Sequence, residues 1–392
     1  MTESPRRVRL GKPLERALEA GHPWVWRNAL KDPPGAAGDV VTVMGLDGSL
    51  VGSGVVDGGP IGVRLWTLGE EPLDTALFGE RFRAAARLRD RVVPPNTTAY
   101  RLLHGEGDRA PGVTCDVYGD HAVLRFDGDG ISRLRAQVLE ALRPVLESRG
   151  VRSLHEKRGP RGAQTVETVY GDAPPDPMVI LEHGMKLQAD LARGQKTGLF
   201  LDQRESRLRI RSLAGGASLL NLYGYTGGFS VAAGLGGAKR VVTVDIAPEA
   251  VRAAGQNWRL NGLPPEAHEG VDMDVPVFLA NAEREGVRFD IVISDPPNFA
   301  PSEDSVPAAF RSYVKLHAGS LAVTEPGGLY FAASCSSHMR MQDFTRTLEE
   351  GAESAGVRLQ VLERGGAPAD HPRLLVFPEG DYLKTVLCRR LE

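Results

Sequence analysis

Three short stretches hold residues whose types and spacing could do chemistry. The first is Asn221-Leu222-Tyr223-Gly224-Tyr225-Thr226-Gly227-Gly228. An apolar strand pattern runs straight into it, and a helix pattern follows. Glycines at such a strand-to-helix turn let backbone approach a ligand closely and aim helix N–H groups at it. The spacing is not Gly-x-Gly-x-x-Gly, so the dinucleotide fingerprint is only partly matched. Seventeen residues after Gly228, the strand RVVTVD ends in Asp245. An acid at the end of the second strand suits a pair of ribose hydroxyls. The competing reading is a glycine turn kept for packing and an aspartate that caps the next helix.

The second stretch is Asp295-Pro296-Pro297-Asn298-Phe299, directly after the strand FDIVIS. The prolines stiffen the loop and remove two donors. Asp295 and Asn298 can then hydrogen-bond a planar heterocycle while Phe299 packs against it. The third is Ser334-Cys335-Ser336, after GGLYFAA. Most cysteines are small buried hydrophobes, and Cys115 and Cys388, inside strand patterns, read that way. Cys335 instead ends an apolar strand between two hydroxyls, with His338 close behind. A thiol at that rim becomes a nucleophile if its pKa is lowered.

These residues need elements to hold them. The chain has 392 residues, 42% hydrophobic and 25% charged, enough for two or three domains with real cores. No run of about 18 apolar residues occurs, so no membrane partner is expected. Basic residues near the N-terminus have no apolar stretch behind them, which predicts no secretory signal and a cytoplasmic protein. Three cysteines without knuckle spacing argue against a disulfide framework and against a metal site. Net charge is −3, which disfavours a nucleic-acid partner, yet residues 1–31 run the other way. They carry seven basic side chains (Arg6, Arg7, Arg9, Lys12, Arg16, Arg27, Lys31) against three acidic ones (Glu3, Glu15, Glu19).

Residues 1–70 read as a small β-rich module, with strands in GDVVTVM, SLVGSGVVD and IGVRLWTL. ALFGERFRAAARLRDRVV reads as a helix that Pro94 and Pro95 end. Residues 98–184 read as β–β–α–β–β, with strand, turn, strand, turn, strand in RLLHGEGDRAPGVTCDVYGDHAVLRF and one long helix from Ile131 to Gly150. From about 185 strands and helices alternate, which predicts a mostly parallel, doubly wound sheet. Trp24 and Trp26 read as core rather than as base-stacking platforms.

Together the glycine turn, the strand-ending acid, Asp-Pro-Pro-x-Phe and Ser-Cys-Ser resemble a class I S-adenosylmethionine-dependent methyltransferase. Gly194-Gln195-Lys196-Thr197-Gly198 with Asp202-Gln203-Arg204 narrows the resemblance. So do Ala369-Asp370-His371-Pro372, Pro378-Glu379-Gly380 and Tyr382-Leu383-Lys384. These are similar to the bacterial 23S rRNA 5-methylcytosine methyltransferases of the RlmI type. GHPWVWRNAL resembles that family's PUA module, and HGEGDRAPGVTCDVYGD its central domain. The chain departs from the family pattern at Arg193, where a glycine is usual, and at Glu205-Ser206, where Glu-Asn is usual.

The resemblance implies a Rossmann-like doubly wound α/β methyltransferase domain at 185–392. A PUA-like β-barrel RNA-binding domain at 1–74 and a central α+β domain at 75–184 would precede it. It implies S-adenosylmethionine as cofactor, 23S rRNA or a ribosomal precursor as partner, and leaves a homodimer open. Cofactor binding falls on Asn221, Tyr223, Gly224, Tyr225, Thr226, Gly227, Gly228, Asp245 and Asp272, with Lys196, Asp202, Gln203 and Arg204. Asp295, Pro296, Asn298 and Phe299 would hold the base. Cys335 and Asp295 would be catalytic: the thiolate adds to cytosine C6 and so activates C5. Two rival readings stay open. One is an RNA amino-methyltransferase acting on an exocyclic nitrogen of guanine or adenine, which needs no cysteine. The other is a non-catalytic RNA-binding protein.

Overall fold

The computed structural model describes residues 5–159 and 163–391. Glu3 of the basic segment therefore lies outside the described residues, as do 160–162 and 392. The chain divides into two compact units. The first comprises Met1–Met178, Ala189–Leu201 and Ala369–Gly380; the second comprises Val179–Gln188, Asp202–Pro368 and Asp381–Glu392. The segments 189–201 and 369–380 thus sit in the first unit, although alternation alone assigned everything after 185 to one domain.

The first unit opens with β1 (Arg6–Arg9), α1 (Glu15–Glu19), β2 (Trp24–Trp26), β3 (Val40–Met44), β4 (Leu50–Val56) and β5 (Ile61–Leu65). They form a five-stranded sheet in the order β1-β3-β4-β5-β2. Alternate residues on β3, Val41 and Val43, are buried while their neighbours are not, the two-residue period of a half-covered strand. On β2 only Val25 is buried; Trp24 and Trp26 are half-buried on either side of it, not core. Trp24 instead donates from Nε1 to Glu106 Oε1 at 2.8 Å. All seven basic residues counted among 1–31 are exposed.

Helix α2 (Thr75–Val92) begins at Asp74, whose carboxylate accepts from Leu77 N at 2.9 Å, and it stops before Pro94. A second five-stranded sheet follows: β6 (Ala99–His104), β7 (Val113–Tyr118), β8 (His121–Phe126), then β9 (Ser153–Arg158) and β10 (Thr165–Tyr170). Three strands precede its helices, as RLLHGEGDRAPGVTCDVYGDHAVLRF reads, one more than the β–β–α–β–β outline counts. The single helix expected from Ile131 is two, α3 (Asp129–Arg133) and α4 (Arg135–Glu147). Between them Leu134 takes φ −92°, ψ 17°. A tertiary contact sets the position of α3: a Cβ at Gly130 would lie 2.2 Å from the Val56 carbonyl of β4. Val55 and Trp66 share one buried cluster with Phe78 and Phe82 of α2. The barrel-like sheet and the segment after it therefore have a common core.

The second unit takes most of a hairpin, β11 (Met178–Glu182) and β12 (Met185–Ala189), then α5 (Arg204–Leu213). Alternation follows: β13 (Ser218–Leu222), α6 (Gly228–Leu235), β14 (Arg240–Asp245), α7 (Pro248–Leu260), β15 (His268–Asp272), α8 (Val275–Arg284) and β16 (Phe289–Ser294). The chain continues through α9 (Val306–Ala322), β17 (Thr324–Ser334), α10 (Met341–Ser354), β18 (Leu359–Gly365) and β19 (Lys384–Arg390). The sheet order is β15-β14-β13-β16-β17-β19-β18. Neighbours from β15 to β17 pair in parallel, and β19 pairs antiparallel with both β17 and β18. The strand order reverses at β13, so the connections after β13 and β16 leave in opposite directions and open a crevice at the strands' C-terminal ends. The central strands are apolar on both faces, as helix-covered parallel strands must be: Leu219, Leu220, Leu222, Ile291, Val292 and Ile293 are all buried.

Candidate active site

The three chemical stretches all leave the C-terminal ends of strands of this one sheet. The first loop follows β13. Tyr223 and Tyr225 both have left-handed backbones, at φ 54° and 47°. Such strain in side-chain-bearing residues persists only where surroundings enforce it, and it gathers at ligand sites. Here the enforcers are visible. Asp245 Oδ2 accepts from Tyr225 N at 2.8 Å, and Asn257 of α7 donates to the Thr226 carbonyl at 2.8 Å. The glycines pack against the chain itself. A Cβ on Gly224 would lie 2.4 Å from Thr243 Cγ2, and one on Gly227 2.7 Å from Ala254 Cβ. Gly228 opens α6 against Arg207, which a buried ion pair with Glu182 of β11 holds at 2.7 and 2.6 Å.

Asn221 lies beneath this loop rather than on its surface. It is buried, and its Nδ2 donates to Ser230 Oγ at 2.9 Å. Asp245 closes β14 and is half-buried; its Oδ1 also accepts from Ala247 N at 3.0 Å. Asp272, at the end of β15, is its register partner and is exposed. Two acids therefore stand side by side at the sheet edge next to the glycine loop. Burial pushes the Tyr223 hydroxyl up to about 12, so it is a neutral donor at physiological pH.

Asp295 follows β16 and is half-buried, with Pro296 buried behind it. Gln203 Nε2 donates to Asp295 Oδ2 at 3.1 Å. Asn298 caps its own turn, its Oδ1 accepting from Ala300 N at 2.9 Å. Phe299 packs on Tyr313 of α9, ring centroids 5.0 Å apart. Tyr313 in turn donates to Ser334 Oγ at 2.9 Å. Cys335 follows β17 and is partly exposed, whereas Cys115 and Cys388 are buried in their strands. Ser336 Oγ donates to the Ala300 carbonyl at 2.7 Å, which ties the cysteine loop to the Asp295 loop. His338 is exposed on the surface.

Asp202, Gln203 and Arg204 are all buried. Asp202 accepts from Tyr382 OH at 2.8 Å, and Arg204 Nε donates to Glu205 Oε1 at 3.0 Å. Gln203 is thus bonded to Asp295. Lys196 belongs to the first unit, where its Nζ lies 4.5 Å from the Phe200 ring. Sequence reasoning assigned no role to Tyr313, Ser336, Tyr382 or Lys384. The signal for the last two was the stretch Tyr382-Leu383-Lys384, which carried the resemblance but no role. Among the described residues no group of His, Cys, Asp or Glu could hold a metal ion, and no helix is long and apolar enough to cross a membrane.

The arrangement fits an adenosyl cofactor on its own geometry. A strained loop fixed from below, with Asp245 and Asp272 at the adjoining strand ends, suits ribose and adenine. A polar set of Asp202, Gln203 and Tyr382 lies near a carboxylate that can hold a base. Comparison with known proteins agrees. Residues 133–389 match the family model of S-adenosylmethionine-dependent methyltransferases, and residues 8–68 match that of PUA-like domains. The chain is 36% identical to the ribosomal RNA large subunit methyltransferase I of Salmonella arizonae, covering 99% of this chain and 100% of that protein. It is 37% identical to the protein of the same name from Erwinia tasmaniensis, over 98% and 99% of the two chains. Among solved structures, SMU.776 complexed with SAH superposes with a TM-score of 0.89 at 26% identity, over 98% of this chain and 100% of that one. Two family models and near full-length relatives converge: the chain belongs to the S-adenosylmethionine-dependent methyltransferases, with a PUA-like domain at its N-terminus, and S-adenosylmethionine is its cofactor.

Proposed function

We propose that this enzyme methylates C5 of a cytosine in large-subunit rRNA through a covalent adduct at Cys335. The rRNA substrate follows from the names of its full-length relatives. The cytosine chemistry rests on one observation: the partly exposed Cys335 and the carboxylate of Asp295 leave adjacent parallel strands, and Ser336 ties their loops together. An exocyclic-nitrogen methyltransferase has no use for a thiol there.

Cytosine C5 is too weak a nucleophile to take a methyl group unaided. The Cys335 thiolate adds to C6, forming the S–C6 bond and moving the electron pair of the 5,6 double bond to C5. Asp295, steadied by Gln203, shares a proton with N3 and hydrogen-bonds the N3/N4 edge, so that the negative charge that thiolate addition puts into the ring is neutralised at N3. S-adenosylmethionine supplies the electrophilic methyl group that C5 takes. Loss of the C5 proton to a base re-forms the double bond and expels the thiolate. Phe299 and Pro296 shape the apolar side of the base pocket. Tyr223, Tyr225, Thr226, Gly227, Asp245 and Asp272 hold the cofactor, with Asn221, Gly224 and Gly228 shaping that loop from below. Asp202 and Arg204 complete the methionine side.

The target must leave its stack to reach this crevice, so an rRNA loop or an unassembled region is the substrate. An rRNA substrate also places the enzyme in the cytoplasm. The test is rRNA carrying 5-fluorocytosine, whose fluorine cannot leave as the proton does. Wild type should form a trapped adduct, and Cys335→Ala should lose both trapping and turnover while still binding S-adenosylmethionine. Robust turnover by Cys335→Ala, or a methyl on an exocyclic nitrogen, overturns the covalent reading in favour of the amino-methyltransferase. Failure to bind S-adenosylmethionine at all would point to the non-catalytic RNA binder.

A further inference from the structure

Lys384 opens β19 opposite Ser334 of β17, and it is only 1% exposed. Its Nζ donates to the Ser336 carbonyl and, at 2.9 Å, to the Tyr382 carbonyl. Both acceptors are neutral. A buried ammonium held only by carbonyls has lost hydration without gaining a bonded counter-ion. Burial accordingly pulls Lys384 down to about 8, against the opposing pull of Asp381 and Cys335. The ammonium is bound to the residue after Cys335 and paired in register with the residue before it. The thiol is therefore flanked on both sides by groups that Lys384 positions.

We propose that Lys384 is the positioning residue for Cys335: its buried ammonium pairs with the thiolate and holds the Ser334–Ser336 turn in place. The role rests on Cys335 being the nucleophile, but the pair itself does not. Cys335 and Asp295, from the loops after β17 and β16, both act electrostatically on Tyr313 of α9, which burial keeps protonated. Asp381 faces Lys384 from the loop before β19. Of these groups Lys384 carries the positive charge, and it and Cys335 act electrostatically on one another. Each member of the pair stabilises the charged form of the other, so removing the ammonium must raise the thiol pKa.

The test is the pH dependence of iodoacetamide alkylation at Cys335 in the full-length protein without RNA, read by peptide mass spectrometry. Buried Cys115 and Cys388 serve as internal controls. Lys384→Met and Lys384→Gln should still bind S-adenosylmethionine. Their alkylation midpoint should rise by about one pH unit or more, which leaves about tenfold less thiolate at neutral pH. Lys384→Arg, which keeps the charge, should restore a low midpoint. An unchanged midpoint in variants that still bind the cofactor overturns the proposal. If the variants do not fold, the wild-type midpoint decides: a value at or above that of a free cysteine, about 8.5, overturns the pair as well. A shifted midpoint without 5-fluorocytosine trapping supports the pair while removing the covalent mechanism.

Discussion

Ser336 Oγ lies 2.7 Å from the Ala300 carbonyl, and this one hydrogen bond joins the loop that carries Cys335 to the loop that carries Asp295. Ser336 is fully buried. Ser336→Ala would leave a buried carbonyl unpaired, at a cost of about 1–3 kcal/mol. Melting should shift accordingly. Methyl transfer should fall more than cofactor affinity, because the glycine loop is anchored elsewhere. Equal losses in turnover and in S-adenosylmethionine affinity, measured side by side, would show that the bond serves the whole sheet edge.

Gly227 and Gly216 separate packing from backbone strain. Both are left-handed, at φ 77° and 71°. A Cβ on Gly216 meets nothing within 4 Å, whereas one on Gly227 meets Ala254 at 2.7 Å. Gly216→Ala should cost about 1–2 kcal/mol for the conformation alone. Gly227→Ala should add about 1–3 kcal/mol of overpacking and disrupt cofactor binding. Thermal midpoints and calorimetric titration of the two variants check both parts.

Asp245 has two duties in this structure. It already accepts from Tyr225 N and Ala247 N, and each carboxylate oxygen has a further lone pair with which to accept from a ribose hydroxyl. Asp245→Ala should weaken S-adenosylmethionine binding by about 1–3 kcal/mol. Unchanged affinity in a titration would restrict Asp245 to capping and remove it from the site.

Acid stability should depend on His317. It is buried in the second unit, bonded to Tyr330 OH at 2.7 Å and Thr347 Oγ1 at 3.2 Å, and burial pushes it down to about 3. The unfolded chain takes up a proton near the ordinary histidine value, about 6.5, while the folded chain does not. The stability this neutral histidine contributes is complete above that value and is lost progressively as pH falls from there toward 3. His317→Gln should melt with a shallower pH slope over that window, in a scan of thermal midpoint against pH. An identical slope would assign the acid sensitivity to other groups.

RNA binding should be salt-dependent through the exposed N-terminal arginines. Arg6, Arg7 and Arg9 all point outward from β1. Replacing the three with serine should weaken RNA affinity. It should also flatten the dependence on log salt by about one unit for each phosphate that an arginine no longer neutralises. Point substitutions suit this question better than removal of residues 1–74. Val55 and Trp66 share a core with Phe78 and Phe82, so the truncation would open that core. An unchanged salt slope would place the RNA on another face.

Much of the site was legible because the parallel strands announce themselves. SLLNL, RVVTVD and FDIVIS are apolar runs that each stop at a residue of different chemistry, and a doubly wound sheet puts every such stop on one edge. Asn221 through Gly228, Asp245, Asp295 and Cys335 could therefore be named from the chain alone. Elements without that signature escaped. Strand β15, HEGVD, lies at the sheet edge with mostly exposed polar positions, so it carries no apolar run. The β11–β12 hairpin, α5 and α8 were missed as well.

Local pattern determined the strands, the glycine turn, the Asp-Pro-Pro loop and the exceptional cysteine, because each is written in adjacent residues. Only the tertiary structure decided which distant groups support them. Gln203 reaches Asp295 across 92 positions, Ser336 reaches Ala300 across 36, and Lys384 reaches the Ser336 carbonyl across 48. It alone also assigned 369–380 to the first unit, where Arg89 Nη2 donates to the Asp370 carbonyl and Arg101 N donates to the Asp370 carboxylate. Buried polar groups must find partners wherever the fold brings them, and that pairing has no sequence period to read.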